Sequence, residues 1–182
     1  MLCLTCPFGM WAQHVEFKWH GFYGTVDYAF MTNLNTKTDK VSFNSFNGTF
    51  GWQIRKESAV GIGVSFLHDS KNAFTQIPIF LELRSHFLSS RLSPFSAVQV
   101  GYTIPIGTSS AGPEAISVKE GGVTFAILLG GRFAITRTIG INAFVGYQLL
   151  HNNQVERKVD NMLAMREPVL LHNLKIGVGI NL

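Results

Sequence analysis

Thiol chemistry is missing from the body of this sequence. Its only cysteines are Cys3 and Cys6, so a disulfide framework or a thiolate metal site beyond the first six residues is excluded. Long apolar runs are missing too. Hydrophobic types make up 46% of the 182 residues, yet no stretch of about 18 is apolar without interruption, as a membrane-spanning helix requires. The longest charge-free window, Leu92 to Pro113, contains three prolines and is dotted with Ser and Thr. Charge is scarce, at 14% of residues, and no basic run exceeds two, as at Arg55-Lys56 and Arg157-Lys158. The net charge of +4 therefore forms no clustered basic stripe, and no nucleic-acid partner is expected. There is no phosphate-cradling Gly loop, zinc-spaced Cys/His set or kinase-type motif, so no cofactor and no metal are expected either.

What the sequence has is 18 glycines and 15 phenylalanines, scattered through short segments with β-branched and aromatic residues between them, the make-up of an all-β chain. Successive side chains on a strand point to opposite faces, and eight segments alternate on that rule. In the last, Leu170, His172, Leu174, Ile176, Val178, Ile180 and Leu182 oppose Leu171, Asn173, Lys175, Gly177, Gly179 and Asn181. In the first, Phe22, Val26, Tyr28 and Phe30 oppose Tyr23, Thr25, Asp27 and Ala29. Between them lie six more, centred on Phe46–Ile54, Val60–Phe66, Ile77–Phe87, Val98–Ile104, Val123–Phe133 and Ile139–Leu149. Each is close to the roughly 9 to 11 residues that a tilted strand needs to cross a bilayer. The pattern predicts an all-β, eight-stranded antiparallel up-and-down transmembrane β-barrel.

The connections alternate in length. Arg55 to Ser58, Leu88 to Ser93 and Thr136 to Thr138 are short, His68 to Ala73 is intermediate, and Met31 to Ser42, Pro105 to Val118 and His151 to Pro168 are long. Short periplasmic turns and long external loops are the outer-membrane arrangement, which puts both termini in the periplasm. Residues 1–13, ending in Ala12-Gln13, read as the remnant of a secretory signal, and residues 14–182 as a single barrel domain. An open sheet edge in hydrocarbon leaves backbone amides unpaired, so a spanning sheet must close.

A soluble barrel would invert the faces, apolar inside and polar outside. Here the small, Gly-rich face also carries the charges, which makes it the interior of a membrane barrel. Asp27, Glu82, Arg84, Arg132 and Lys175 fall on it. Buried charges persist when paired, so these five are expected to form an internal salt-bridge network that leaves no wide aqueous pore. Trp19, Phe22, Phe30, Trp52, Phe87, Phe95 and Phe133 lie near strand ends and are expected to form interfacial aromatic girdles.

Three stretches carry the resemblance to a known family: Ile77-Pro-Ile-Phe-Leu-Glu-Leu-Arg84 followed by Phe87, Ser93-Pro-Phe-Ser-Ala-Val-Gln-Val-Gly-Tyr102, and Val145-Gly-Tyr-Gln148. With the Ala-Gln ending of the leader, the sequence from about Gly21 to Leu182 resembles the small outer-membrane β-barrel proteins of Bacteroidetes, which are related in architecture to barrels of the OmpA and OmpX type. The resemblance implies a location and a fold rather than a reaction.

Three groups of residues bear on function. His68, Ser70 and Glu82 are similar in order to the Ser/His/Glu set of outer-membrane lipid A deacylases, in which Ser attacks an acyl ester. Against this, His68 and Ser70 continue the lipid-facing register while Glu82 falls on the interior face. His14, Glu16 and His20 share one side of an extended stretch and include metal-ligand types, but strand spacing makes a poor closed site and a solvated lead-in is expected. Arg157, Lys158 and Arg166 offer contacts to lipopolysaccharide phosphates, diluted by Glu156, Asp160 and Glu167. The expectation is a monomeric, non-enzymatic outer-membrane barrel, partnered by membrane lipid and lipopolysaccharide, with a structural or surface-interaction role through its external loops. The alternatives are a lipid A deacylase-like hydrolase, a narrow conduit, or a barrel subunit of a secretion assembly.

Overall fold

The computed structural model describes residues 21–34, 42–55, 57–69, 74–88, 90–106, 114–159 and 162–182. They form nine strands: β1 Gly21–Asn33, β2 Ser42–Arg55, β3 Ser58–Asp69, β4 Phe74–His86, β5 Leu92–Ile106, β6 Glu114–Glu120, β7 Gly122–Ala134, β8 Gly140–Val159 and β9 Met162–Asn181. All pairings are antiparallel, in the order β8-β7-β5-β4-β3-β2-β1-β9, and β8 also pairs with β9. Eight strands therefore close on themselves, and β6 adds to the outer part of β8. No helix among the described residues is long and apolar enough to cross a membrane.

The register fixes the barrel's shape. From Asn33 the paired residues run through Asn173, Gln148, Ala126, Gln99, Glu82, Gly61 and Gly51, and return to β1 at Tyr23. The stagger is ten residues (33 − 23). For eight strands that sets a tilt of roughly 40° and about 2.5 Å of height per residue. Along β4 and one residue past its end, the outward residues from Ile77 to Phe87 thus cover about 25 Å, the height of an outer-membrane apolar band.

The two faces fall as the alternation requires. Phe22, Phe46, Phe50, Trp52, Ile62, Leu81, Leu83 and Val178 are each at least half exposed, while Thr25, Asn47, Gln99, Asn142 and Lys175 are buried inside. A soluble protein hides its large apolar residues; this one displays them around its whole girth, a surface suited to lipid chains.

Two readings of the connections change. The segment from His151 to Pro168 is not a loop: β8 continues to Val159, β9 begins at Met162, and their backbones stay paired from Leu150↔Leu171 out to Val159↔Met162. Glu114–Glu120, inside the long connection after β5, is a strand as well. Past the end of the closed barrel neither face of a ribbon has to be apolar, so the period-2 signal fades while the hydrogen bonding continues. Phe95 is also not part of a girdle. It lies inside the barrel at 1% exposure, sharing the parity of Ala97 and Gln99. The leader at 1–13, Trp19, and His14, Glu16 and His20 lie outside the described residues.

The short connections are closed locally. Thr136 Oγ1 accepts from the backbone N–H of Ile139 at 2.9 Å and of Thr138 at 3.3 Å, the hydroxyl-capped turn that Thr favours. Ser93 Oγ donates to the Leu88 carbonyl at 2.6 Å across the β4–β5 turn. Close packing inside the barrel needs missing side chains. The Phe80 ring occupies the space that a Cβ on Gly63 would take, and the Asp27 carboxylate does the same over Gly179.

Candidate functional site

The barrel interior centres on Arg84, which is fully buried. Its Nε donates to Glu82 Oε1 at 2.9 Å, and its Nη2 lies 4.0 Å from Asp27 Oδ2. Glu82 and Arg84 are two apart on β4, so the pleat turns both inward one above the other. β1 brings Asp27 to the same group from across the barrel. The guanidinium also stacks over Phe95 at 4.6 Å and lies 5.5 Å from the Tyr23 ring, a favourable placement for a cation taken out of water.

Neutral side chains complete the set. Tyr23 Oη donates to Glu82 Oε1 at 3.2 Å and Gln99 Nε2 to Glu82 Oε2 at 2.6 Å. Asn142 Nδ2 reaches Asp27 Oδ1 at 3.0 Å and Asn181 Oδ1 at 2.5 Å, and Thr25 Oγ1 donates to Asp27 Oδ2 at 3.3 Å. A carboxylate–guanidinium cluster paired in this way persists in a low-dielectric interior where a lone charge does not, although Arg84 Nη1 and Nη2 make no hydrogen bond and only Nη2 nears a second carboxylate.

The five charges of the expected network divide. Asp27, Glu82 and Arg84 come together. Lys175 is buried but donates to Asn47 Oδ1 at 3.4 Å, beside the Ser45, Ser65 and Asn47 bonds that link β2 to β3. Arg132 is buried nearer the short turns, where a Cβ on Gly140 would come within 2.9 Å of its Nε.

Apolar groups flank the charges. Phe95, Ala97, Ala126, Leu128 and Phe144 face them from β5, β7 and β8. Met31, Phe43, Leu67, Leu150 and Leu171 form a second cluster toward the long connections. Chemically, the arrangement sets one guanidinium between two carboxylates, with buried side chains filling the interior around them.

His68 and Glu82 are not brought together. The His68 side chain is on the outer surface near the end of β3, with Nδ1 3.3 Å from Thr75 Oγ1. Glu82 is inside, opposite Gly61, seven residues back along β3. Ser70 lies outside the described residues, as do the side chains of Arg157, Lys158 and Arg166. Among the described residues no group of three or more His, Cys, Asp or Glu could hold a metal ion.

The neutral partners Tyr23, Gln99 and Asn142 stand on the inward face in the sequence pattern. Their pairing was hidden because it joins residues 17 to 115 positions apart.

No protein-family model matches the sequence, and no curated protein does either. Solved structures do match. The Neisserial surface protein A structure is similar with a TM-score of 0.66 at 13% identity, covering 88% of this chain and 96% of that one. The outer membrane protein OprG from Pseudomonas aeruginosa gives 0.61 at 14%, covering 92% and 99%. The outer membrane protein AlkL, solved in lipid bilayers, gives 0.56 at 13%, covering 91% and 90%. With the closed register and the apolar exterior, these likenesses define the class: the chain is a small membrane β-barrel with the eight-stranded fold of outer-membrane proteins.

Proposed function

We propose that this chain is a non-enzymatic outer-membrane protein whose closed barrel carries a projecting β-ribbon for interaction outside the cell, with its termini on the periplasmic side. The observation behind this reading is the length of β8 and β9. Each has 20 residues where the other barrel strands have 12 to 15. Crossing the membrane takes about half of such a strand. The remaining nine residues of β8, past Leu150, reach about 30 Å beyond the rim, and β6 widens this ribbon to three strands. A barrel that only spanned the membrane has no use for it. The side chains that fill the interior argue against solute passage, and one similar structure is named a surface protein.

The test is an epitope inserted between Val159 and Met162. Antibody binding to intact cells is expected; labelling that appears only after the outer membrane is permeabilised overturns the orientation. In planar bilayers the purified protein is expected to show no discrete openings, and openings would establish the narrow-conduit reading instead.

A further inference from the structure

The formal charge of +4 is not spread evenly. Positions 35–41, 68–73, 107–120 and 152–169, on the long-connection side, hold seven Lys or Arg and seven Asp or Glu, a net of zero. The interior holds three cations and two anions, and Glu16 and Lys18 cancel. The remaining charge lies in the short turns, where Arg55, Lys56, Arg91 and Arg137 face Glu57 alone, a net of +3.

The turns hold at least one of these cations in place. The Arg91 carbonyl accepts the Ala134 N–H at 2.8 Å, while its Nε donates back to the Ala134 carbonyl at 3.1 Å. This double contact ties the β4–β5 turn to the end of β7. The guanidinium then lies over the Phe133 ring, 4.8 Å from its centroid, so its rotamer is fixed at small entropic cost on binding. Its terminal amino groups have no protein acceptor among the described residues. Arg137 is exposed in the next turn, three residues beyond Ala134. Phe87, Leu88, Leu92, Phe133 and Ile135 are exposed around them, which sets both guanidiniums at the depth where hydrocarbon gives way to headgroups.

We propose that the short-turn rim binds the phosphate groups of anionic glycerophospholipids in the adjoining leaflet, with Arg91 and Arg137 at its centre. A planar guanidinium suits a phosphate through paired N–H donors, and juxtamembrane cations attract anionic lipid over a Debye length. Which leaflet of the envelope this is follows from the orientation proposed above; the binding itself does not depend on it.

The full chain, refolded into phosphatidylcholine vesicles, is tested with spin-labelled phosphatidylglycerol and spin-labelled phosphatidylcholine as probes. The motionally restricted fraction of each gives relative association at the barrel surface. A preference for phosphatidylglycerol of twofold or more is expected at low salt, shrinking at high salt and disappearing in Arg91→Gln/Arg137→Gln. Arg157→Gln/Lys158→Gln, on the opposite side, keeps it. Equal association of the two lipids with the unaltered protein overturns the proposal, and so does a preference that survives in the double variant. Arg137→Gln alone, which breaks no side-chain bond among the described residues, is expected to lower the preference part of the way and serves if the double variant does not fold.

Discussion

Arg84 Nε meets Glu82 Oε1 at 2.9 Å across two residues of one strand, with both side chains aimed at the barrel axis and shut off from solvent. A pair so close in sequence needs no tertiary structure to form in an extended chain. What the barrel adds is Asp27 from β1, the Phe95 face from β5, and the exclusion of water that makes each of these contacts matter.

Removing one partner leaves the others as uncompensated buried charge. Arg84→Met is expected to destabilise the barrel by about 3–5 kcal/mol, read from urea unfolding in lipid vesicles. Glu82→Leu/Arg84→Met together is expected to cost less than Arg84→Met alone, because the double change removes both charges. An Arg84→Met protein as stable as the parent contradicts the cluster.

The close approach of Phe80 to Gly63 gives a second test. Gly63→Ala forces the ring aside and is expected to cost about 1–3 kcal/mol. In a Phe80→Ala background the added methyl meets no ring, while the Thr49 hydroxyl oxygen stays close, at 2.8 Å, so a large part of that penalty should vanish. Additive costs in the unfolding cycle would show that the two residues do not touch.

Leu81 and Leu92 are both 60% exposed, but at different heights. If the outer surface faces lipid, Leu81→Arg near the mid-plane costs about 2–4 kcal/mol and Leu92→Arg at the rim about 0–1 kcal/mol. In a soluble barrel both substitutions would be nearly neutral. Unfolding from vesicles distinguishes the two cases.

His68 and Glu82 are on opposite sides of the barrel wall, so no Ser/His/Glu relay passes between them. Mass spectra of lipid A from cells carrying Ser70→Ala are expected to match those from cells with the unaltered protein. A change in acylation would restore the hydrolase reading.

The strands and their inward faces were legible because lipid imposes a rule on each residue separately: outward positions must be apolar, and inward ones must be small or polar to fit. Phe80 and Phe144, large residues on the small face, were readable on parity alone and are indeed inside at 4% and 5% exposure. Phe95 was legible by the same parity but was drawn to the girdle by its place near a strand end. The β8–β9 ribbon escaped because paired backbone in water obeys no such rule. The partners inside the barrel escaped for another reason. That Asp27 and Gln99 meet the Arg84–Glu82 pair, and Asn47 meets Lys175, depends on the ten-residue stagger of the closed sheet, which no single strand records.

The sequence by itself thus determined that there are eight crossing strands and which side of each meets lipid, since alternation is local and lipid tolerates no exception. Only the tertiary structure decided that Asp27 joins the Arg84–Glu82 pair while Lys175 goes to Asn47, and that Arg91 is held over Phe133. Each of these contacts joins residues from different parts of the sheet, so strand register sets them and no one strand carries both partners.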